Sequence, residues 1–195
     1  DSENAFDQLT EALRPQEVTP LFRIEDDHHT ILLLEGVIEP KPSNPWVNLV
    51  LFILTVFSVL LAGALYGYTG YISEDGITMM MQILANLWTG WPFAVSLLAI
   101  LLAHEFGHYL AARYHKAEVT LPYFIPFPLS IFGTMGAFIQ LKSPPKNKNV
   151  LLDIGAAGPY AGLVVAIPVL LYGLYTSELN VLPPELIAGQ GFEGN

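Results

Sequence analysis

"WPFAVSLLAILLAHEFGHYLAARY" fills residues 91–114, and its first thirteen residues, Trp91–Ala103, carry no charge. A membrane-spanning helix needs about 20 apolar residues, so the stretch has the length and composition of a span. Inside it lies His104-Glu105-Phe106-Gly107-His108. At about 100° per residue, His104 and His108 lie about 40° apart on one helical face, one turn apart, and both reach a single zinc ion. Glu105 stands about 100° round from His104, beside the metal as a base and not as a third ligand. A charged side chain at mid-membrane costs about 2.5–3.5 kcal/mol on insertion scales, so two histidines and a glutamate there read as functional. Zinc lowers the pKa of a bound water to about 7. Glu105 can take a proton from that water and pass it to a leaving amide nitrogen, which is peptide hydrolysis.

The rest of the chain agrees with a membrane setting. Of 195 residues, 52% are hydrophobic and 13% charged, against about 25% charged in a typical soluble domain; mean hydropathy is +0.45. The net charge of −10 is uneven, with ten Asp and Glu in residues 1–45 against Arg14, Arg23 and Lys41. An acidic head on an apolar body argues against nucleic acid as a partner, because that needs a basic surface. With no cysteine there is no disulfide, no thiolate zinc ligand and no thiol nucleophile.

Residues 1–40 read as a small acidic α/β segment, part of a larger domain. "SENAFDQLTEALR" has Phe6, Leu9 and Leu13 on one helical face, with Ser2 as a possible cap, and "PLFRI" and "HTILLLEGVI" read as strands. "EPKPSNP" at 39–45 is a Pro-rich linker. The body, 41–195, holds three predicted spans at about 46–66, 91–114 and 150–175. Trp46, Tyr66 and Tyr68 sit at the ends of the first, where aromatic belts form. The Met-rich stretch between the first two spans predicts an interfacial helix. Residues 121–141 are apolar but hold Pro122, Pro126, Pro128, Gly133 and Gly136. They predict a turn and short strands that dip into the membrane or lie on it, covered by protein or a wet cavity. Gly158 and Gly162 form a small-xxx-small face for close helix approach. The expected fold is therefore an all-α polytopic membrane protein with a short membrane-associated β element and a small soluble head. Arg113, Lys116, Lys142, Lys146 and Lys148 flank the loop at 115–149, which places that loop, the head and the His cluster on the cytoplasmic or equivalent side.

Other metal chemistries fit less well. A metzincin would continue with Gly at 111 and His at 114, where this chain has Ala111 and Tyr114. A di-iron bundle needs two helical Glu-x-x-His pairs and two further Glu; Glu105-x-x-His108 is one, but Glu25-x-x-His28 lies in the acidic head. "DDHH" at 26–29 reads as a solvated turn, and Asp153 as an acid in the first turn of the third span. Glu178, Glu185 and Glu193 fall in the last loop. None of these acids is assigned as the third zinc ligand. Two further classes stay open: a membrane metalloprotease of the HtpX-like kind cutting soluble loops, and a non-enzymatic membrane scaffold with a structural His/Glu cluster.

The run 103–163, from "AHEFGHYLAARYH" through "FGTMGAF" to "GPYAGL", resembles the site-2 protease family of intramembrane zinc metalloproteases, peptidase family M50. It is most similar to the cyanobacterial and chloroplast branch that includes the ethylene-dependent gravitropism-deficient and yellow-green proteins. The resemblance implies zinc on His104 and His108, one ion per complete site, with Glu105 catalytic. It implies that Gly133, Thr134, Met135 and Gly136 belong to a β element that binds substrate as an added strand. It also implies that the helix containing Gly158, Pro159 and Gly162 packs beside the active-site helix. The substrate would be a transmembrane protein cut within the bilayer of a bacterial plasma, thylakoid or plastid membrane, with the site toward the cytoplasm or stroma. The family's third ligand is the Asp of a Leu-Asp-Gly motif in a later helix. No Leu-Asp-Gly occurs here, so that ligand is expected beyond these residues, leaving the site incomplete at the C-terminal side.

Overall fold

Among the described residues, three helices are long and apolar enough to cross a membrane; side-chain caps start two of them, and the other follows a 3₁₀ turn without such a cap. The computed structural model describes residues 2–25, 28–35, 43–70, 74–142, 145 and 147–177. In the head, α1 (Ser2–Leu13) packs on β1 (Val18–Glu25), which pairs antiparallel with β2 (His28–Glu35), Val18 opposite Glu35 and Glu25 opposite His28. His28 and His29 thus open a strand instead of completing a turn, and Asp26 and Asp27 lie outside the described residues. Most of the linker at 39–45 lies outside them too. Its last residue, Pro45, begins α2 (Pro45–Gly67). The Asn44 side chain accepts the Trp46 N–H at 3.0 Å, and Pro45 takes a first-turn position where a missing N–H costs nothing.

The Met-rich stretch forms α3 (Gly76–Ala85). Asp75 caps it by accepting the Thr78 hydroxyl at 2.6 Å and the Thr78 N–H at 2.9 Å. The Thr78 hydroxyl, then the Thr78 N–H, hold the Asp75 carboxyl below the usual carboxylate range. A 3₁₀ turn at Leu87–Gly90 leads into α4 (Trp91–Tyr114). Asn147 caps α5 (Lys148–Thr176) by accepting the Val150 N–H at 2.8 Å. Because α5 begins at Lys148, Asp153 falls in its second turn, past the reach of a helix-end charge effect. Its carboxylate is instead 3.1 Å from His115 Nε2.

Val59, Ala94 and Leu98 form a core between α2 and α4; Ala112, Val150 and Ile154 form a second between α4 and α5. Val50, Ile53, Phe57, Val95, Val164 and Leu171 are exposed, as lipid-facing side chains of a polytopic membrane protein must be. The segment after α4 is β3 (Tyr123–Pro126) and β4 (Thr134–Phe138), an antiparallel hairpin with Tyr123 opposite Phe138 and Phe124 opposite Ala137. The register slips between Phe124 and Pro126, where Thr134 Oγ1 donates to the Ile125 carbonyl at 2.8 Å and accepts the Gly136 N–H at 3.0 Å.

The hairpin lies along α2. At its base Asn48 Nδ2 meets the Leu121 and Pro122 carbonyls, then Phe52 meets Phe124 edge-on at 5.0 Å. Gly133 (φ 73°) passes so near the α2 backbone that a Cβ there would stand 2.6 Å from Val59 Cα. At its tip Tyr66 Oη donates to the Ile131 carbonyl at 3.0 Å. Asn48 and Tyr66 are about 27 Å apart along a helix axis, close to the roughly 30 Å hydrocarbon core. The hairpin therefore runs alongside most of the length of α2.

Candidate active site

His104, Glu105 and His108 project from α4, with His108 about 9 Å and His104 about 15 Å along the axis from its C-terminal end at Tyr114. Glu105 is buried, at 5% exposed, and both histidines are half-buried. The histidine Nε2 atoms are 3.1 Å apart and the rings stand edge to face with centroids 4.8 Å apart. His108 Nδ1 lies 2.6 Å from the Ile154 carbonyl of α5. A carbonyl only accepts, so Nδ1 carries the hydrogen, and a neutral His108 then presents its lone pair at Nε2. A ligating histidine is ordinarily fixed in this way through its second nitrogen.

Helix α5 comes this close because its facing row is small. A Cβ on Gly107 would lie 2.6 Å from the Ala157 carbonyl oxygen and 2.8 Å from Ala161 Cβ. A Cβ on Gly158 would overlap the His108 ring, and one on Gly162 would touch His104 Cβ at 3.4 Å. Pro159 is exposed and takes no part in this contact: it stands about 100° round from Gly158. The helix beside the histidines is thus shaped to them by Gly158 and Gly162, with Ala157 and Ala161 against Gly107.

The donor set suits a zinc ion. Nitrogen ligands about 2.0–2.1 Å from a tetrahedral ion are about 3.3 Å apart, and the two Nε2 atoms are already 3.1 Å apart. Among the described residues, no group of three His, Cys, Asp or Glu could hold a metal ion. Asp153 is turned to His115 and does not complete the pair. Glu178, Glu185 and Glu193 lie outside the described residues. Of the hairpin residues, Gly133 and Thr134 are buried, Met135 is exposed, and Gly136 has φ 100° with open space where a Cβ would sit. Strand β4 touches α4, so the hairpin and the histidine helix are neighbours. The Ile154 carbonyl had no signal in the sequence, being a backbone group. Asn48 did have one: a carboxamide in an otherwise apolar span.

Residues 92–190 match the family model described as Peptidase family M50. The chain belongs to that family. This M50 chain is also similar to proteins of plants. It is 34% identical over 180 residues to the Oryza sativa subsp. japonica protein described as "Probable zinc metalloprotease EGY1, chloroplastic", covering 81% of this chain and 31% of that protein. The Arabidopsis thaliana protein of the same description is 32% identical over 159 residues, covering 75% of this chain and 29% of that protein. An Oryza sativa subsp. indica protein described as "Probable zinc metalloprotease EGY2, chloroplastic" is 30% identical over 132 residues, covering 68% of this chain and 22% of that protein. The M50 chain therefore spans about a third or less of the length of these curated relatives. No solved structure matches it at a significant level.

Proposed function

We propose that this chain carries the catalytic helix of a zinc metalloendopeptidase that hydrolyses a peptide bond within a transmembrane segment of a substrate protein. The observation that carries the reading is the paired Nε2 atoms of His104 and His108, 3.1 Å apart, beside a buried Glu105 in the middle of an apolar span. Family membership and relatives described as probable zinc metalloproteases support it.

His104 and His108 would hold zinc through Nε2, with the third protein ligand supplied from a later helix. The ion's part is Lewis acidity, polarising the scissile carbonyl and making water acidic enough to attack at neutral pH. Glu105 accepts the proton that the water loses as the C–O bond forms. It returns that proton to the amide nitrogen as the C–N bond breaks. The Ile154 carbonyl holds the His108 ring in one tautomer throughout. A helical substrate must first unwind to expose its carbonyl, and its freed N–H and C=O groups need partners at membrane depth. A strand added at Gly133, Thr134, Met135 and Gly136 would pair them. The basic residues flanking 115–149 favour a site facing the cytoplasm or stroma, with the acidic segment 1–40 outside the bilayer on that side.

A reporter protein with a single apolar span, reconstituted with the enzyme and analysed by mass spectrometry, tests the reading. The expected cut lies inside the span; cleavage confined to the reporter's soluble loops contradicts it. Gly136→Pro tests the strand. Its φ of 100° is closed to proline, and the substitution removes the N–H that Thr134 Oγ1 accepts. Cleavage should fall at least about tenfold with zinc content unchanged. Unchanged cleavage removes the hairpin from substrate binding.

A further inference from the structure

Buried backbone carbonyls that lie outside a regular ladder need other hydrogen-bond partners. Leu121 and Pro122 meet this difficulty: they interrupt an antiparallel ladder that is paired before them, Val119 opposite Leu141 with the Thr120 N–H donating to the Gln140 carbonyl at 3.0 Å, and after them, Tyr123 opposite Phe138. One side chain answers both carbonyls. Asn48 Nδ2 donates to the Leu121 oxygen and to the Pro122 oxygen, each at 2.9 Å. A carboxamide nitrogen has two hydrogens, and both are used here. The opposite amide orientation would set Oδ1 against two carbonyl oxygens, so the hydrogen-bonding chemistry fixes this one. Asn48 is 6% exposed, and its own Oδ1 is buried without a hydrogen-bond partner among the described residues. The role of this amide is therefore argued from its two donated hydrogen bonds.

We propose that Asn48 is a positioning residue: by clamping the Leu121 and Pro122 carbonyls it sets the depth of the β3–β4 hairpin against α2, and through β4 its placement beside the histidine helix. The clamp stands where the paired stretch at 118–120 and 140–142 gives way to β3 and β4. The tip is tied separately through Tyr66 and Ile131. Losing the clamp leaves two carbonyls unpaired in an apolar setting, so the strand must shift or let water in. The histidine pair on α4 is held by its own contact and by the Ile154 carbonyl of α5, so it should survive. The consequence for substrate rests on the function proposed above.

The test is amide hydrogen exchange, read by mass spectrometry on the intact protein in lipid discs. Asn48→Leu removes both donors at similar volume, and Asn48→Ser keeps one. Exchange over 118–142 should rise about tenfold or more in N48L and less in N48S, with α4 and α5 unchanged. Unchanged exchange over 118–142 overturns the proposal. So does equal acceleration in α4 and α5, which would make Asn48 a general stability residue. On a fluorescence-quenched peptide carrying one apolar span, N48L should raise KM about tenfold with kcat within about twofold. A fall in kcat alone overturns the link to substrate placement. If the unmodified protein leaves this peptide whole, the proposed function fails, while the exchange result still decides the clamp.

Discussion

Glu105→Gln is expected to lower kcat by about 10²–10⁴-fold while zinc binding stays intact. The two amino acids have nearly the same shape, but a carboxamide cannot take up a proton at neutral pH. Glu105 points about 100° away from His104 around the helix, so it is no ligand, and its loss leaves both imidazoles in place. The neutral side chain also removes a potential charge from a buried position in a span. Helix α4 should therefore be no less stable than before, and lost activity cannot be put down to unfolding. Turnover of the quenched peptide and zinc content, measured on the same preparation, decide the matter. Retained turnover would remove Glu105 from the chemistry. Joint loss of zinc and turnover would make it a ligand.

Gly158→Ala should weaken zinc binding by about 10–100-fold, the range for losing the group that supports a histidine ligand. On helix propensity alone the change should help, since alanine is favoured over glycine by about 1 kcal/mol. The opposite sign is expected because the new Cβ would overlap Nε2, Cδ2 and Cε1 of His108. The ring cannot give way cheaply: it is pinned by its 2.6 Å hydrogen bond to the Ile154 carbonyl. Either His108 rotates off that carbonyl or α5 moves away from α4, and both outcomes disturb the pair of Nε2 atoms. Zinc titration of the variant, with circular dichroism to show helices retained, checks this. Unaltered affinity would mean that the close approach of α5 has no bearing on the metal site.

The spans were legible because an uncharged run of helical length admits few readings. The expected 91–114 coincides with Trp91–Tyr114, and 46–66 and 150–175 are extended by one or two residues where Asn44–Pro45 and Asn147 cap the helices. The strands at 121–141 were legible from their prolines and glycines, which rule out a long helix. Their placement along α2 was not, because they meet it through Asn48, Phe52 and Tyr66, far away in the chain. His104 and His108 were readable by spacing alone. What fixes them was not, since a backbone carbonyl carries no residue signature. Asp153 was misplaced because its position depended on where α5 begins, and the cap at Asn147 moves that start two residues earlier than hydropathy suggests.

Zinc per chain, in protein isolated from its own membrane and in the His104→Ala and His108→Ala variants, decides whether the two histidines hold the metal. About one zinc is expected in the unmodified protein, lost in both variants while the helices stay intact. Zinc that persists in both variants, or its absence from the unmodified protein, would contradict it.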